Sequence, residues 1–524
     1  MTSFTHLKSA VRLKELSRNL FDLTTGNFNP KRIEQMIAYA LDFKLFYSTE
    51  RVTDEVMHAL FDLAEETQAI KKMHAMQAGE VMNRIEGVES ENRAVLHTAM
   101  RDFFDHKNTA PAAVKAASLA MDELKKLQAF LKKIDGKFTD LIQIGIGGSE
   151  LGPKAIYLAL EAFQKKGIRV HFLSNVDPDD AASILEAVDL KKTLVVSVSK
   201  SGSTLETKTN EEFIREAFKK KNLSPKDHIV AATGKGSPMD DPENYLASFY
   251  IWDYIGGRYS VTSMIGAVTL GFALGYDHLW DFLRGASAMD KVALLPDPTK
   301  NLPLLSALLG IWNRNFCYLP TVAIIPYSRA LFRLPAHLQQ CDMESNGKRI
   351  DKQGHFVDFS TGPIIWGEPG TNGQHSFFQL LHQGTDTTPI EFIGFKESQY
   401  DHDLLYQGTT SQEKLLSNLF AQMIALAQGK KSDNPNKFFP GNRPSRLLFT
   451  EKCDPYHVGA LLAYFEHKVA FQGFMWNINS FDQEGVQLGK VLATQMIQLF
   501  AKRRKKEGLT SQDFPLGQAF LRHL

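Results

Sequence analysis

Apolar and charged residues recur at helical spacing through roughly the first 135 positions. Residues 41–60 and 112–131 mix them with no glycine or proline inside, so this region reads as mainly helical. From about residue 139 the texture changes. Leu141-Ile142-Gln143-Ile144-Gly145-Ile146 is a short apolar run closed by glycines, and similar runs follow at 170–173, 194–198, 229–232 and 249–252. Stretches of helical spacing, 153–165 and 204–219, lie between them. Apolar runs alternating with helices predict a parallel sheet covered on both faces. After a further helical stretch the pattern restarts, with strands expected at 322–326, 363–366 and 390–394. Residues 429–445, rich in Lys, Asn, Pro and Gly, read as a surface loop, and helices are expected over about 455–472 and 486–506. The fold class is therefore α/β, with two similar units in tandem.

Composition narrows the picture without deciding it. Of 524 residues, 43% are hydrophobic and 23% charged, as in an ordinary globular protein with a full core. Lys plus Arg is 60 against 59 for Asp plus Glu, a net charge of +1. That balance argues against an overall design for nucleic acid or an anionic membrane, yet leaves room for a local basic pocket. Cys317, Cys341 and Cys453 form no CxxC pair, so neither a disulfide framework nor a four-cysteine zinc site is expected, and a reducing cytosol is the natural compartment. No targeting segment is expected, since residues 1–8 carry no apolar run. The long uncharged stretch 259–276 is dotted with Ser, Thr and Gly and reads as a buried helix. Residues 301–312 are apolar but read as broken by Pro303.

Six segments could carry chemistry. Gly145-Ile146-Gly147-Gly148-Ser149 follows a buried strand; such a turn exposes backbone N–H groups to an oxygen-rich ligand, or is a tight turn and nothing more. It is not a dinucleotide fingerprint, because position 150 is Glu150, and no P-loop follows. Ser199-Lys200-Ser201-Gly202-Ser203-Thr204 places four hydroxyls at a helix start, more than one cap needs, which suits a phosphate held for recognition. Gly256-Gly257-Arg258-Tyr259-Ser260 could aim a guanidinium inward. In Gln340-Cys341-Asp342-Met343-Glu344-Ser345-Asn346-Gly347-Lys348, Glu344 could be a base, and His337 stands one helical turn before Cys341, a pair more simply read as packing. His375, in Gly370-Thr371-Asn372-Gly373-Gln374-His375-Ser376, is a better acid–base candidate than His382 on the following helix. Phe481-Asp482-Gln483-Glu484-Gly485-Val486-Gln487-Leu488-Gly489-Lys490 enters a helix and ends in a lysine.

Together these segments resemble the glucose-6-phosphate isomerase (phosphoglucose isomerase) family, from the glycine turn near 145 to Lys490. The segments 256–260 and 481–490 look like its two signatures. The resemblance implies two tandem sugar isomerase (SIS) domains with mainly parallel sheets. The divisions it implies are a helical amino-terminal region at 1–104 packing on the second domain, a first α/β domain at 105–275, a second at 276–490 and a helical tail at 491–524. It implies interconversion of D-glucose 6-phosphate and D-fructose 6-phosphate, in glycolysis and gluconeogenesis, with no metal or organic cofactor. It also implies a homodimer with an active site shared between subunits. By position, Ser199, Lys200, Ser201 and Thr204 would hold phosphate, and Gly148 and Ser149 would line the sugar. Arg258, Gln340, Glu344, His375, Gln483 and Lys490 would surround the reacting end, with His375 supplied across the dimer. Two alternatives remain from the residues: a non-catalytic phosphosugar binder, and an isomerase of broader range. Gln487 departs from the glutamate usual in the second signature, and Ser201-Gly202 from a Thr-Phe pair common in the phosphate loop.

Overall fold

The computed structural model describes residues 3–105, 108–400, 402–507 and 514–524; Met1 and Thr2, which open the segment read for a leader, lie outside these. The chain divides into two compact units, Met1–Ser480 and Phe481–Leu524.

The amino-terminal region of the first unit is not wholly helical. Strands β1 (Ile37–Ala40) and β2 (Phe43–Phe46) pair antiparallel around Leu41-Asp42, where the spacing predicted helix. Within the expected stretch 41–60, helix begins only at Asp54–Glu66, where the Thr53 side chain accepts from the Val56 N–H. Tertiary pairing wins over local periodicity here. Phe43 and Leu45 are buried, and β2 lies against a strand some 400 residues further on.

The first sheet holds β3 (Asp140–Ile144), β4 (Arg169–Leu173), β5 (Thr193–Ser199), β6 (Ile229–Gly234) and β7 (Ala247–Ile251), all where the apolar runs placed them. They pair in parallel in the order β4-β3-β5-β6-β7. β3 and β5 are buried at every position, as strands covered on both faces should be. The order reverses between β3 and β5. Outside the carboxyl ends of strands at such a reversal, an open α/β sheet leaves a ligand crevice.

The second sheet combines β8 (Thr321–Pro326), β9 (Ile364–Trp366), β10 (Ile390–Glu397) and β11 (Ser445–Lys452) with the hairpin, in the order β1-β2-β11-β10-β8-β9. Its parallel part, β9-β8-β10-β11, repeats the winding of the first sheet, with its own reversal between β8 and β10. β11 follows directly on the loop expected up to 445. A charge hides it in the sequence, since Arg446 sits inside the core between Glu50, at 2.9 Å, and Glu391.

Helix Met264–Leu274 is buried along its whole length, as its uncharged composition required. Pro303 does not break 301–312: it stands in the first turn of helix Leu302–Ile311, where its missing N–H would have had no partner. Helix Pro455–Trp476 runs past the expected end. No described helix is long and apolar enough to cross a membrane. The second unit consists of a turn at Glu484–Val486, helix Gln487–Arg504 and helix Pro515–Leu521, joined by an Arg503 Nη1 bond to the Leu521 carbonyl at 2.8 Å.

Candidate functional site

The loops after β3 and β5 flank the first reversal. After β3, the chain turns through Gly147–Ser149 into helix Leu151–Ala159. Gln143 Nε2 donates to the Ser149 carbonyl at 2.6 Å and holds the turn. Gly148 lies directly on Gly257; a Cβ there would overlap the Gly257 carbonyl. Ser260 Oγ locks the two glycine turns together, donating to Gly257 O at 2.5 Å and lying 3.3 Å from Gly148 O. These contacts explain glycine at 148, and they bring the segment bearing Arg258 to the crevice. The nearest atom to Gly147 among its non-neighbours is Nε2 of Gln340, which lies 3.4 Å from where a Cβ would be. Gln340 Oε1 is buried with no hydrogen-bond partner among the described residues.

After β5, Ser199 Oγ is 2.9 Å from Thr204 Oγ1, and Ser201 Oγ accepts from the Ser203 N–H at 3.2 Å and its hydroxyl at 2.8 Å. Gly202 takes a positive φ of 63°, which suits glycine. Helix Leu205–Lys220 then begins with no side-chain cap, so its first N–H groups stay available to an anion. The Lys200 ammonium turns away, donating to the carbonyls of Ile255 at 3.0 Å and Asp253 at 3.4 Å. Burial, with help from Arg93, lowers its pKa to about 8. Lys200 thus offers the loop its backbone rather than its charge.

Arg258 is 1% exposed, not a surface pair. Its Nε donates to Ser345 Oγ at 2.6 Å, its Nη2 to the Ser480 carbonyl at 2.6 Å, and its Nη1 lies 3.3 Å from Glu344 Oε2. Ser345 Oγ also meets Tyr259 OH at 2.7 Å, and the Tyr259 ring stacks on His97 at 4.8 Å. Behind lies a buried ionic cluster: Arg101 binds Asp290 and Glu466 at 2.7 Å each, and His467 is 2.6 Å from Asp290. Burial raises the Glu466 carboxyl to about 7.

Glu344 closes a π-helical turn, Gln339–Glu344, of the kind often found at functional sites. Its side chain is 22% exposed, open to the crevice while paired to Arg258. Asp342 on the same turn is buried and pushed up to about 6, mainly by burial. Cys341 and His337 are also buried. Burial raises the thiol well above its usual range and lowers the imidazole to about 4, so both are neutral and the pair is packing.

His375 ends a turn, Asn372–His375, beyond β9, and Gly370 opens that loop against the ring of Tyr327. His375 is exposed, and no described residue hydrogen-bonds or ion-pairs with it. His382 is on helix Phe378–Gln383, 2.7 Å from Gln422 Oε1. Gln483 and Lys490 belong to the second unit: Gln483 precedes the turn Glu484–Val486, and Lys490 is exposed on helix Gln487–Arg504. The structure therefore gathers Gly148, Ser149, Arg258, Gln340 and Glu344 around one crevice. Ser199, Lys200, Ser201 and Thr204 stand at the neighbouring strand end. Sequence reasoning gave no role to Ser345, Tyr259 or Ser480, whose partners come from distant segments. The first two did lie inside quoted motifs, where a polar residue beside each candidate was the available signal.

Fold and site define a doubly wound α/β protein with a glycine turn and a hydroxyl-rich loop at its first reversal and a buried arginine paired to a partly exposed carboxylate. The family model described as phosphoglucose isomerase matches residues 46–513. A glucose-6-phosphate isomerase of Protochlamydia amoebophila is 59% identical, over 99% of this chain and 97% of that protein. One from Desulfotalea psychrophila is 55% identical over 93% of this chain and 92% of that protein. The crystal structure of a Chlamydia trachomatis glucose-6-phosphate isomerase superposes with a TM-score of 0.96 at 50% identity, covering 99% of both chains. The chain belongs to the phosphoglucose isomerase family.

Proposed function

We propose that the protein is an aldose–ketose isomerase that interconverts D-glucose 6-phosphate and D-fructose 6-phosphate. The observation that carries the reading is Glu344 Oε2 at 3.3 Å from an Arg258 that two other bonds hold in place. Moving a proton between adjacent carbons needs one base that can give back what it takes. It also needs a fixed positive charge for the enediolate between the two carbons. Glu344 takes the C2 proton and returns it to C1, a contribution of about 10²–10⁴ in rate. Arg258 stabilises the developing negative charge without having to reorganise. No net oxidation occurs, so the chemistry calls for no redox cofactor, and in this reading Arg258 supplies the positive charge.

The sugar phosphate binds by its phosphate at Ser199, Ser201, Thr204 and the N–H groups of the Lys200 backbone and the uncapped helix. Its remote binding energy sets the register of the reacting carbons. Gly148 and Ser149 line the sugar, and Gln340 supplies an unpartnered acceptor beside the glycine turn. His375 acts on the ring oxygen for ring opening, with Gln483 and Lys490 at that end of the sugar. The exposure of His375 and its lack of a partner among described residues suit a homodimer in which it completes the other subunit's site. The balanced charge and three unpaired cysteines suit the cytoplasm. We retain tandem domains at 105–275 and 276–490, flanked by 1–104 and 491–524. The repeated strand order supports this division, as does β2 docking on β11.

A coupled assay on glucose 6-phosphate, fructose 6-phosphate and mannose 6-phosphate tests the reading. Turnover of the first two with little on the third is expected. Equal turnover of all three would replace it with a broader isomerase, and binding without turnover with a non-catalytic phosphosugar binder.

A further inference from the structure

In the proposed grip on phosphate Lys200 contributes its backbone, and its ammonium points elsewhere. The residue stands between Ser199 and Ser201, in the loop after β5, with its main chain pinned. The Lys200 carbonyl accepts from the Gly234 N–H at 3.0 Å, and the Ser199 carbonyl from Thr233 Oγ1 at 2.7 Å, both at the end of β6. A Cβ on Gly234 would stand 2.8 Å from the Lys200 carbonyl, so this approach needs glycine.

In the first sheet β6 lies between β5 and β7. The Lys200 side chain spans the end of β6 and reaches the segment after β7, where its ammonium donates to the carbonyls of Ile255 at 3.0 Å and Asp253 at 3.4 Å. No described carboxylate forms an ion pair with it, so main-chain oxygens are its anchors. A cation leaves bulk water at a cost, and these two bonds offset it only while the segment stays in place. Arg93 Nη1 also donates to the Asp253 carbonyl, and the Leu96 N–H to the Tyr254 carbonyl at 3.1 Å. All three carbonyls of 253–255 are thus held by groups from outside the segment.

Ile255 leads directly into Gly256-Gly257-Arg258, so a carbonyl held by Lys200 stands just before the glycine pair that carries the buried guanidinium. One residue therefore joins the loop that takes the phosphate to the segment that aims Arg258. Phosphate binding accelerates the distant proton transfer only if anchor and reacting end are held at a fixed separation. We propose that the Lys200 ammonium is a positioning group. It holds the Arg258 segment in register with the phosphate loop, so that a sugar phosphate seated at Ser199, Ser201 and Thr204 meets the guanidinium at its reacting carbons. This rests on the isomerase reading and deepens it.

Lys200→Met keeps the stem and the backbone N–H and removes the donors. With fructose 6-phosphate its kcat should fall about ten- to hundredfold, the scale of a small misplacement in a site. Calorimetric binding of D-glucitol 6-phosphate, which has no carbonyl to isomerise, should weaken by less than about threefold, because the phosphate loop is untouched. Lys200→Arg restores a charged donor and should bring back most of the lost kcat. Circular dichroism checks folding, and Lys200→Gln, shorter and uncharged, replaces Lys200→Met with the same expectations if that chain does not fold. The inference is overturned by an unchanged kcat in the neutral variant, by a loss of D-glucitol 6-phosphate binding that matches the loss of kcat, or by a Lys200→Arg chain as slow as the neutral one. If the unaltered protein turns over no sugar phosphate, the isomerase reading falls and this inference with it. Normal turnover in the unaltered protein and the neutral variant alike would overturn this inference alone.

Discussion

Replacing Ser345 with alanine removes one oxygen that two buried groups share. Its Oγ accepts from Arg258 Nε at 2.6 Å and meets Tyr259 OH at 2.7 Å, in a place closed to water. A hydrogen bond to a charged group contributes about 1.5–3 kcal/mol, and a buried donor left unpaired costs a similar amount. Arg258 would keep its bond to the Ser480 carbonyl and its pairing to Glu344, so the guanidinium stays in the site but loses one of its fixed points. If the lost orientation is felt in full at the enediolate, kcat falls about ten- to hundredfold, at 1.36 kcal/mol per factor of ten. KM should barely change, because the phosphate loop after β5 makes no use of Ser345. Conversion of fructose 6-phosphate, coupled to oxidation of the glucose 6-phosphate formed, gives both constants, and urea unfolding of the same sample gives stability. A fall in stability with kcat within twofold of the unaltered protein would mean that the Ser345 hydroxyl does not orient the guanidinium for catalysis. Ser345 would then be a packing residue, and Arg258 would need no such support.

Ser199→Ala should raise KM for the sugar phosphate about tenfold or more while sparing kcat, since a hydroxyl bonded to a dianion is lost far from the reacting carbons; steady-state kinetics would show the reverse split if the loop did not hold phosphate. His337, lowered by burial to about 4 from 6.5, binds a proton more readily in the unfolded chain, so the stability it protects is present above pH 6.5 and lost as pH falls towards 4. Between pH 6.5 and 5 this amounts to about 2 kcal/mol, and His337→Leu should remove that part of the slope in urea titrations at the two pH values. Mixing Glu344→Gln chains with His375→Ala chains, each inactive alone, should restore about a quarter of the activity under random pairing, because one site in each mixed dimer is intact. No recovery in a mixture shown to exchange subunits would place His375 in its own chain's site.

The first sheet was legible because parallel strands buried on both faces spell continuous apolar runs, as at 141–146 and 194–198, and each run ends where its loop begins. The glycine turn and the hydroxyl-rich loop were legible for a related reason: both sit at the end of such a run. The hairpin β1–β2 was not, because its turn is Leu41-Asp42, with Leu41 at a φ of 53° and no glycine or asparagine to announce it. β11 was hidden by Arg446, a charge acceptable in a core strand only because Glu50 and Glu391 arrive from elsewhere. The same non-local logic conceals the supports of Arg258. Ser345 and Ser480 lie 87 and 222 residues from it, and no local pattern foretells such a meeting. Tyr259 reads as an ordinary aromatic until its hydroxyl is found on the same oxygen as the arginine.

In the proposed reaction Glu344 carries the proton between the two carbons. The kcat of Glu344→Gln, measured beside calorimetric binding of fructose 6-phosphate, tests it most directly. The amide keeps the shape of the side chain and can neither take nor return a proton. Turnover should fall by at least about 10²–10⁴ while the sugar phosphate still binds at Ser199, Ser201 and Thr204. Turnover at the unaltered rate would contradict the account, because the proton would then be moving through another group.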